Sequence, residues 1–260
     1  MPPFILLSIL LSYLTPQVHA QRVLHFKAPN GKLSARLSVS NGNLFWSFSA
    51  GKKPLIAPSP AGVRLFAGVL GENVTAIDIS RETSVQNSRL YEVTVKGTHQ
   101  TFRMEFRLFN DGCAFRYRFP GKGVLNVKEE RTSFTLPASS RVWFFERNSA
   151  WKLKSYAGWW MHTTVDSLPV ISSSGPVQGK PLVIQLTDKS YMAISEAALY
   201  DYSGMRLEAK GDRLVQVNFT EGNNGFEVRG GRYSPWRIVM YAEDLNSLVN
   251  NGMIAALAPP

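Results

Sequence analysis

Short runs of alternating apolar and polar positions recur along most of the chain. In "KLSARLSV", Leu33, Ala35, Leu37 and Val39 fall at every second position, and after "SNGN" the alternation returns with Leu44, Trp46 and Phe48. Successive side chains of a strand point to opposite faces, so each run presents one apolar row and one polar row. The Asn41-Gly42 pair between the two runs predicts a tight hairpin turn, because these residue types accept the positive φ that such turns need. Between Leu90 and Pro120, "LYEVTVKG", "TFRMEFRLF" and "CAFRYRF" are separated by Gly97 and by Asn110-Asp111-Gly112. That spacing predicts a meander with Phe102, Met104, Phe106 and Leu108 inward and Arg103, Glu105 and Arg107 outward.

Further strands are predicted at "TSFTL", "RVWFFE", "PLVIQLT", "YMAISEAAL", "RLVQVNF" and "PWRIVMYA". Strands at this regular spacing, about eight to twelve residues, point to an all-β protein of two packed antiparallel sheets. One short helix is predicted near the C-terminal end, around Glu243 to Asn250 in "AEDLNSLVNNG", with Gly252 just beyond it. From Asn148 to Gly179 the alternation lapses into a segment rich in Ser, Gly and aromatic residues, the kind of long excursion that often carries function.

Composition adds a compartment. The first twenty residues hold an apolar run from Phe4 to about Leu14 and then Val18-His19-Ala20, which reads as a secretory signal peptide over residues 1–20. The run is shorter than the roughly 20 residues that span a bilayer, so no membrane association is expected after cleavage. Residues 21–260 then form a single exported domain, periplasmic or secreted. Cys113 is the chain's one cysteine, so no internal disulfide is available, and its alternation with Phe115, Tyr117 and Phe119 places it in the core. The net charge of +10 is scattered over strand positions and comes with no nucleic-acid-binding motif; it reads as a solvated sheet face, with no nucleic-acid partner.

Candidate chemistry is sparse. His25, His99 and His162 lie outside any nucleophile-elbow context, and no paired His or Cys spacing suits zinc. Trp143 alternates within an apolar strand and is expected in the core. Trp159 and Trp160 are adjacent inside the irregular segment, where one strand face cannot bury both, and they are candidate carbohydrate-binding residues because aromatic rings offer flat apolar faces to sugars. Glu196 is the odd residue of "YMAISEAALYDYSGMRL": it shares a face with Met192 and Ile194. A carboxylate in an apolar row is costly unless paired, so either an Arg lies close to it or it serves a function.

That same segment resembles the corresponding stretch of family 97 glycoside hydrolases, exported α-glucosidases and α-galactosidases. The resemblance continues through "GNLFWSFSAGKKPLIAPSPAGVRL", "FNDGCAFRYRF", "SPWRIVMYAEDLNSLVNN" and the closing "LAPP". It implies the family's N-terminal domain, a two-sheet β-supersandwich of galactose mutarotase-like type, which in the family is joined to a catalytic (β/α)8 barrel. The chain resembles this first part alone and ends where the barrel would start. The proton-transfer carboxylates of the family lie in the barrel, so the resemblance assigns no catalytic residue here and implies inactivity for the chain by itself. It does imply a metal role for Glu196, as one Ca²⁺ ligand reaching from an interface-facing row into a site completed by a barrel, which would be a separately encoded partner if the chain is natural. The alternative is a free-standing carbohydrate-binding module using Trp159 and Trp160.

Overall fold

The computed structural model describes residues 23–146 and 159–258. The signal-peptide expectation over residues 1–20 and the first part of the irregular segment, including Trp151, lie outside these residues. The alternating runs form the strands expected of them, and every strand pair in the ladders is antiparallel. The Asn41-Gly42 turn closes the hairpin of Leu33–Ser40 with Asn43–Ala50, with both residues at positive φ, 49° and 72°. Leu33, Ala35, Leu37, Leu44, Trp46 and Phe48 are all buried.

Two large sheets carry the molecule. The first has eight strands, in the order Val23–Lys27, Leu33–Ser40, Asn43–Ala50, Lys53–Pro60, Ser133–Thr135, Leu214–Asn218, Arg206–Gly211 and Val177–Gln178. The second has nine: Trp160–Thr164, Arg141–Phe145, Leu182–Gln185, Tyr191–Ala197, Trp236–Ala242, Gly112–Arg118, Thr101–Phe109, Ser88–Gly97 and Val74–Val85. The predicted meander forms three successive strands of this sheet, Gly112–Arg118, Thr101–Phe109 and Ser88–Gly97. A third, four-stranded sheet that sequence patterning did not separate from the others joins Phe226–Arg229, Val124–Glu130, Val63–Leu65 and Gly68–Leu70.

Rows from the two large sheets interdigitate as one aromatic core. Phe26 stacks on Phe106 at 4.5 Å, Phe106 on Phe115 at 5.3 Å, and the Trp46 ring lies 4.7 Å from Phe115. The Trp46 indole N–H donates to the Ser133 carbonyl at 2.9 Å, so the largest core ring leaves no polar atom unpaired. Cys113 is buried as expected, and burial pushes its thiol pKa well up.

The outer face of the nine-stranded sheet is not simply solvated. The expected helix falls at Leu245–Val249, capped by the Asp244 carboxylate accepting from the Ser247 N–H at 2.8 Å, and a second short helix follows at Met253–Leu257. Gly252 precedes this second helix as its N-cap rather than marking the end of the first. Leu248, Met253 and Leu257 cover Phe109, Ala114, Ala193, Ala197, Ile238 and Met240, making a second, smaller core. Arginines on this face are partly enclosed. Arg107 donates to the Ala256 carbonyl at 3.1 Å, and Arg116 pairs with Glu105 at 2.7 Å while lying over the Tyr233 and Trp236 rings. Glu105, expected outward and solvated, is therefore buried against its arginine. Trp143 departs from expectation too. Val142 and Phe144 take the inward positions of their strand, so the alternation turns Trp143 to the other face, half-buried and stacked on His162.

Candidate functional site

Glu196 sits one residue from the end of the strand Tyr191–Ala197, in the row of Met192 and Ile194 as the alternation requires. That row faces the space between the sheets: Met192 and Ile194 belong to the main core, whereas Ala193 and Ala197 belong to the outer one beneath the C-terminal helices. The row is therefore interior, not the interface-facing row expected of it. The side chain of Glu196 is only 3% exposed.

A charged partner stands directly opposite. The register pairs Glu196 with Arg237 across the ladder to Trp236–Ala242, and the Arg237 Nη1 donates to Glu196 Oε2 at 2.5 Å. The same guanidinium grips a second buried carboxylate, Glu130, from Nε to Oε1 at 2.9 Å and from Nη2 to Oε2 at 2.6 Å. Lys180 donates to Glu196 Oε1 from the other side, and the Met205 backbone N–H lies 3.2 and 3.1 Å from the two oxygens. Tyr202 adds its hydroxyl to Glu130 Oε2 at 3.3 Å.

Charge balances within this cluster: two carboxylates face one guanidinium and one ammonium. That balance decides whether it can exist, since an unpaired ion at 0% exposure, as at Arg237 and Glu130, carries a desolvation penalty of several kcal/mol, roughly the loss seen on breaking a buried pair. Burial alone would lower the Arg237 pKa; the charge and hydrogen bonds of Glu130 outweigh it and hold the pKa above its ordinary value. For Tyr202, burial first and then the Glu130 charge push the phenol well above its ordinary value, so it stays a hydrogen-bond donor.

Glu196 is thus the salt-bridged member of the two alternatives left open by its sequence context. Ca²⁺ seeks six to eight oxygen ligands. Both oxygens of Glu196 are instead occupied by N–H donors, and two of those donors carry positive charge, so the carboxylate as placed does not fit a divalent cation. Sequence reading missed Arg237, Glu130 and Lys180. The signal for Arg237 was present, a lone charge inside the apolar strand "PWRIVMYA" like the lone charge of Glu196, but nothing in the sequence pairs those two strands.

The two candidate sugar-binding tryptophans are accessible. Trp159 is 90% exposed and Trp160, which opens the edge strand Trp160–Thr164, is 55% exposed with its ring edge-on to Phe145 at 5.4 Å. A cleft of about 620 Å³ lies elsewhere, at the end of the strand carrying Glu196. Arg116, Arg229, Arg232, Tyr233, Asp201 and Glu227 contribute to its wall, bringing two carboxylates to one space that nothing in the sequence pattern joins.

A family model described as the glycosyl-hydrolase 97 N-terminal domain matches residues 26–260. A retaining alpha-galactosidase of Bacteroides thetaiotaomicron is 24% identical over 222 residues, covering 79% of this chain and 33% of that protein. A probable retaining alpha-galactosidase of Streptomyces bingchenggensis is 28% identical over 123 residues, covering 42% of this chain and 19% of that protein. Among solved structures, a glycoside hydrolase family 97 enzyme in complex with acarbose, from Pseudoalteromonas sp. strain K8, superposes with a TM-score of 0.77 at 21% identity, over 91% of this chain and 38% of that one. A beta-arabinopyranosidase superposes with a TM-score of 0.70 at 22% identity, over 85% of this chain and 40% of that one. The chain spans about a third of the length of the first of these curated relatives and under half of either solved chain.

Proposed function

The chain belongs to the N-terminal domain family of the family 97 glycosyl hydrolases, and from that premise we propose that it is the non-catalytic sandwich module of an exported α-glycosidase, working on carbohydrate together with a (β/α)8 catalytic domain. The observation that carries the reading is one of coverage. The family match runs over residues 26–260, while the alignment to the galactosidase covers 79% of this chain but only 33% of that protein, so the sandwich corresponds to only part of it. Its own chemistry agrees: the most enclosed carboxylates, Glu130 and Glu196, are fixed by ion pairs and hold no freedom to move a proton. The Ca²⁺ contribution implied for Glu196 is not part of the proposal, because the groups around its carboxylate do not fit the metal.

The test is hydrolysis of aryl α-glucosides and α-galactosides by the purified chain, alone and mixed with a catalytic barrel of the family. No turnover alone is the expected result. Glycoside hydrolysis needs two carboxylates flanking one bond, about 5 to 10 Å apart. Turnover by the chain alone that disappears in Asp201→Asn or Glu227→Gln would show that the cleft at the end of the Glu196 strand is an active site and would overturn the reading.

A second reading, a free-standing carbohydrate-binding module, has one observation in its favour: Trp159 and Trp160 both stand open to solvent. Retention of the chain on immobilised α-glucan, lost on replacing either ring, is the outcome that supports it.

A further inference from the structure

We infer that in this chain two side-chain cations, the Lys180 ammonium and the Arg237 guanidinium, occupy the place against Glu196 that a divalent metal ion would need, so that Glu196 is a charge-balanced anchor of the fold and takes no metal. The comparison with a metal-binding glutamate rests on the family reading above; the contacts stand without it.

The geometry leaves the carboxylate no free side. Arg237 donates to Oε2 at 2.5 Å, Lys180 donates to Oε1, and the Met205 N–H lies within 3.2 Å of both oxygens. A hard cation must bind those oxygens itself and recruit more around them. Here the surrounding groups are nitrogen donors, which offer a metal ion no lone pair.

Displacement is opposed unequally at the two positions. Arg237 is held in the ladder and clamped by the bidentate contact with Glu130, at 0% exposure, so it cannot withdraw without stranding that second carboxylate. Lys180 belongs to the turn after Val177–Gln178, and its side chain is 15% exposed, making it the cation nearer to solvent. Were a metal ion to displace Lys180 alone, it would still face the Arg237 charge at a hydrogen-bond distance from the same carboxylate. With Glu130 and Glu196 already matched by Arg237 and Lys180, a divalent ion would leave the interior with excess positive charge, which low-dielectric surroundings penalise heavily.

The roles differ in their consequences. A metal ligand waiting for its ion is an uncompensated carboxylate, relieved by the neutral amide and stabilised by Ca²⁺. A charge-balanced anchor is damaged by the amide and indifferent to Ca²⁺.

Thermal melts of the full chain separate these roles, using wild type, Glu196→Gln, Lys180→Met and the double variant, each with and without about 10 mM Ca²⁺, well above the ~10⁻⁴ to 10⁻³ M dissociation constants of weak extracellular calcium sites. Expected are a wild-type melt unmoved by Ca²⁺, a loss of roughly 6 °C or more in Glu196→Gln, and a double variant that loses less than the sum of the single losses, because neutralising both partners restores the balance. Tyrosine-sensitised emission of added Tb³⁺ gives a second reading, since Tyr202 lies beside Arg237. No emission dependent on Glu196 is expected. Wild-type stabilisation by Ca²⁺, Tb³⁺ emission that Glu196→Gln removes, or strictly additive losses would each overturn the inference. Should Lys180→Met not fold, Lys180→Arg keeps the charge and is expected to keep both the wild-type melt and its indifference to Ca²⁺; a Ca²⁺ response in that variant counts against the inference. None of these outcomes depends on catalysis, so the proposed function can fail while the inference stands, and the reverse.

Discussion

Arg237 and Glu196 face each other directly across two central strands of the nine-stranded sheet, and the guanidinium that reaches Glu196 Oε2 at 2.5 Å also clamps Glu130 with two further hydrogen bonds. One side chain therefore bridges two buried carboxylates and ties that sheet to the strand Val124–Glu130 of the small one. Removing it strands Glu130 and leaves Glu196 to Lys180 alone. We expect Arg237→Met to unfold the chain or to cost at least the upper end of the range for a broken buried pair, about 3 to 5 kcal/mol, with Glu196→Gln costing less because Arg237 retains Glu130. Chemical denaturation of the two variants checks the order; equal, small losses would mean that the pairs contribute little.

Lys53 and Asp188 form an exposed counterpart with a readable pH signature. Asp188 accepts from the Lys53 ammonium at 2.6 Å and from the Ser190 hydroxyl and N–H, and these hydrogen bonds hold its carboxyl near a pKa of about 2 against an ordinary 3.8. A depressed folded-state pKa stabilises the fold above the unfolded value, and the contribution disappears as pH falls from about 4 towards 2. Asp188 is half exposed, so solvent screening limits the effect to about 0.5 to 1 kcal/mol. Asp188→Asn should be slightly less stable than wild type at neutral pH, and the difference should close over that acidic window.

Gly112 is the position where the C-terminal helix meets the sheet. A Cβ there would lie 2.3 Å from the Met253 sulfur and 2.6 Å from the Val239 carbonyl oxygen, and the latter is backbone in a central strand that cannot give way. Gly112→Ala is expected to cost about 1 to 3 kcal/mol by overpacking and to loosen Met253–Leu257. Faster amide exchange confined first to that helix, with increased binding of an apolar dye, is the corresponding readout; unchanged exchange there would show that the helix accommodates the methyl group.

Trp159 makes a clean surface variant. At 90% exposure its removal should leave stability unchanged within about 0.5 kcal/mol, whereas Trp160, packed edge-on against Phe145, should cost somewhat more. If these rings bind sugar, each replacement by Ala should weaken retention on α-glucan about tenfold, a loss of roughly 1.4 kcal/mol of stacking. Retention that survives both replacements would remove the two residues from any carbohydrate site.

Much of this molecule was legible before its structure. Period-two alternation fixed which residues of "KLSARLSV", "TFRMEFRLF" and "CAFRYRF" turn inward, because a strand's face assignment is local and depends only on parity. Asn41-Gly42 announced its turn for an equally local reason, the positive φ that both residues adopt. Even the oddity of Glu196 was visible as a charge in an apolar row. What parity cannot supply is which of its two faces a row meets, and on that the sequence misled at Glu105 and Trp143. Glu196 and Arg237, 41 residues apart in sequence, become neighbours only through the pairing of their strands, and Glu130 joins them from a different sheet still farther away in the chain. Whether a buried carboxylate is a vacancy for a metal or one end of an ion pair depends on the charges within a few ångströms of it, and those distances exist only once the sheets have closed on one another.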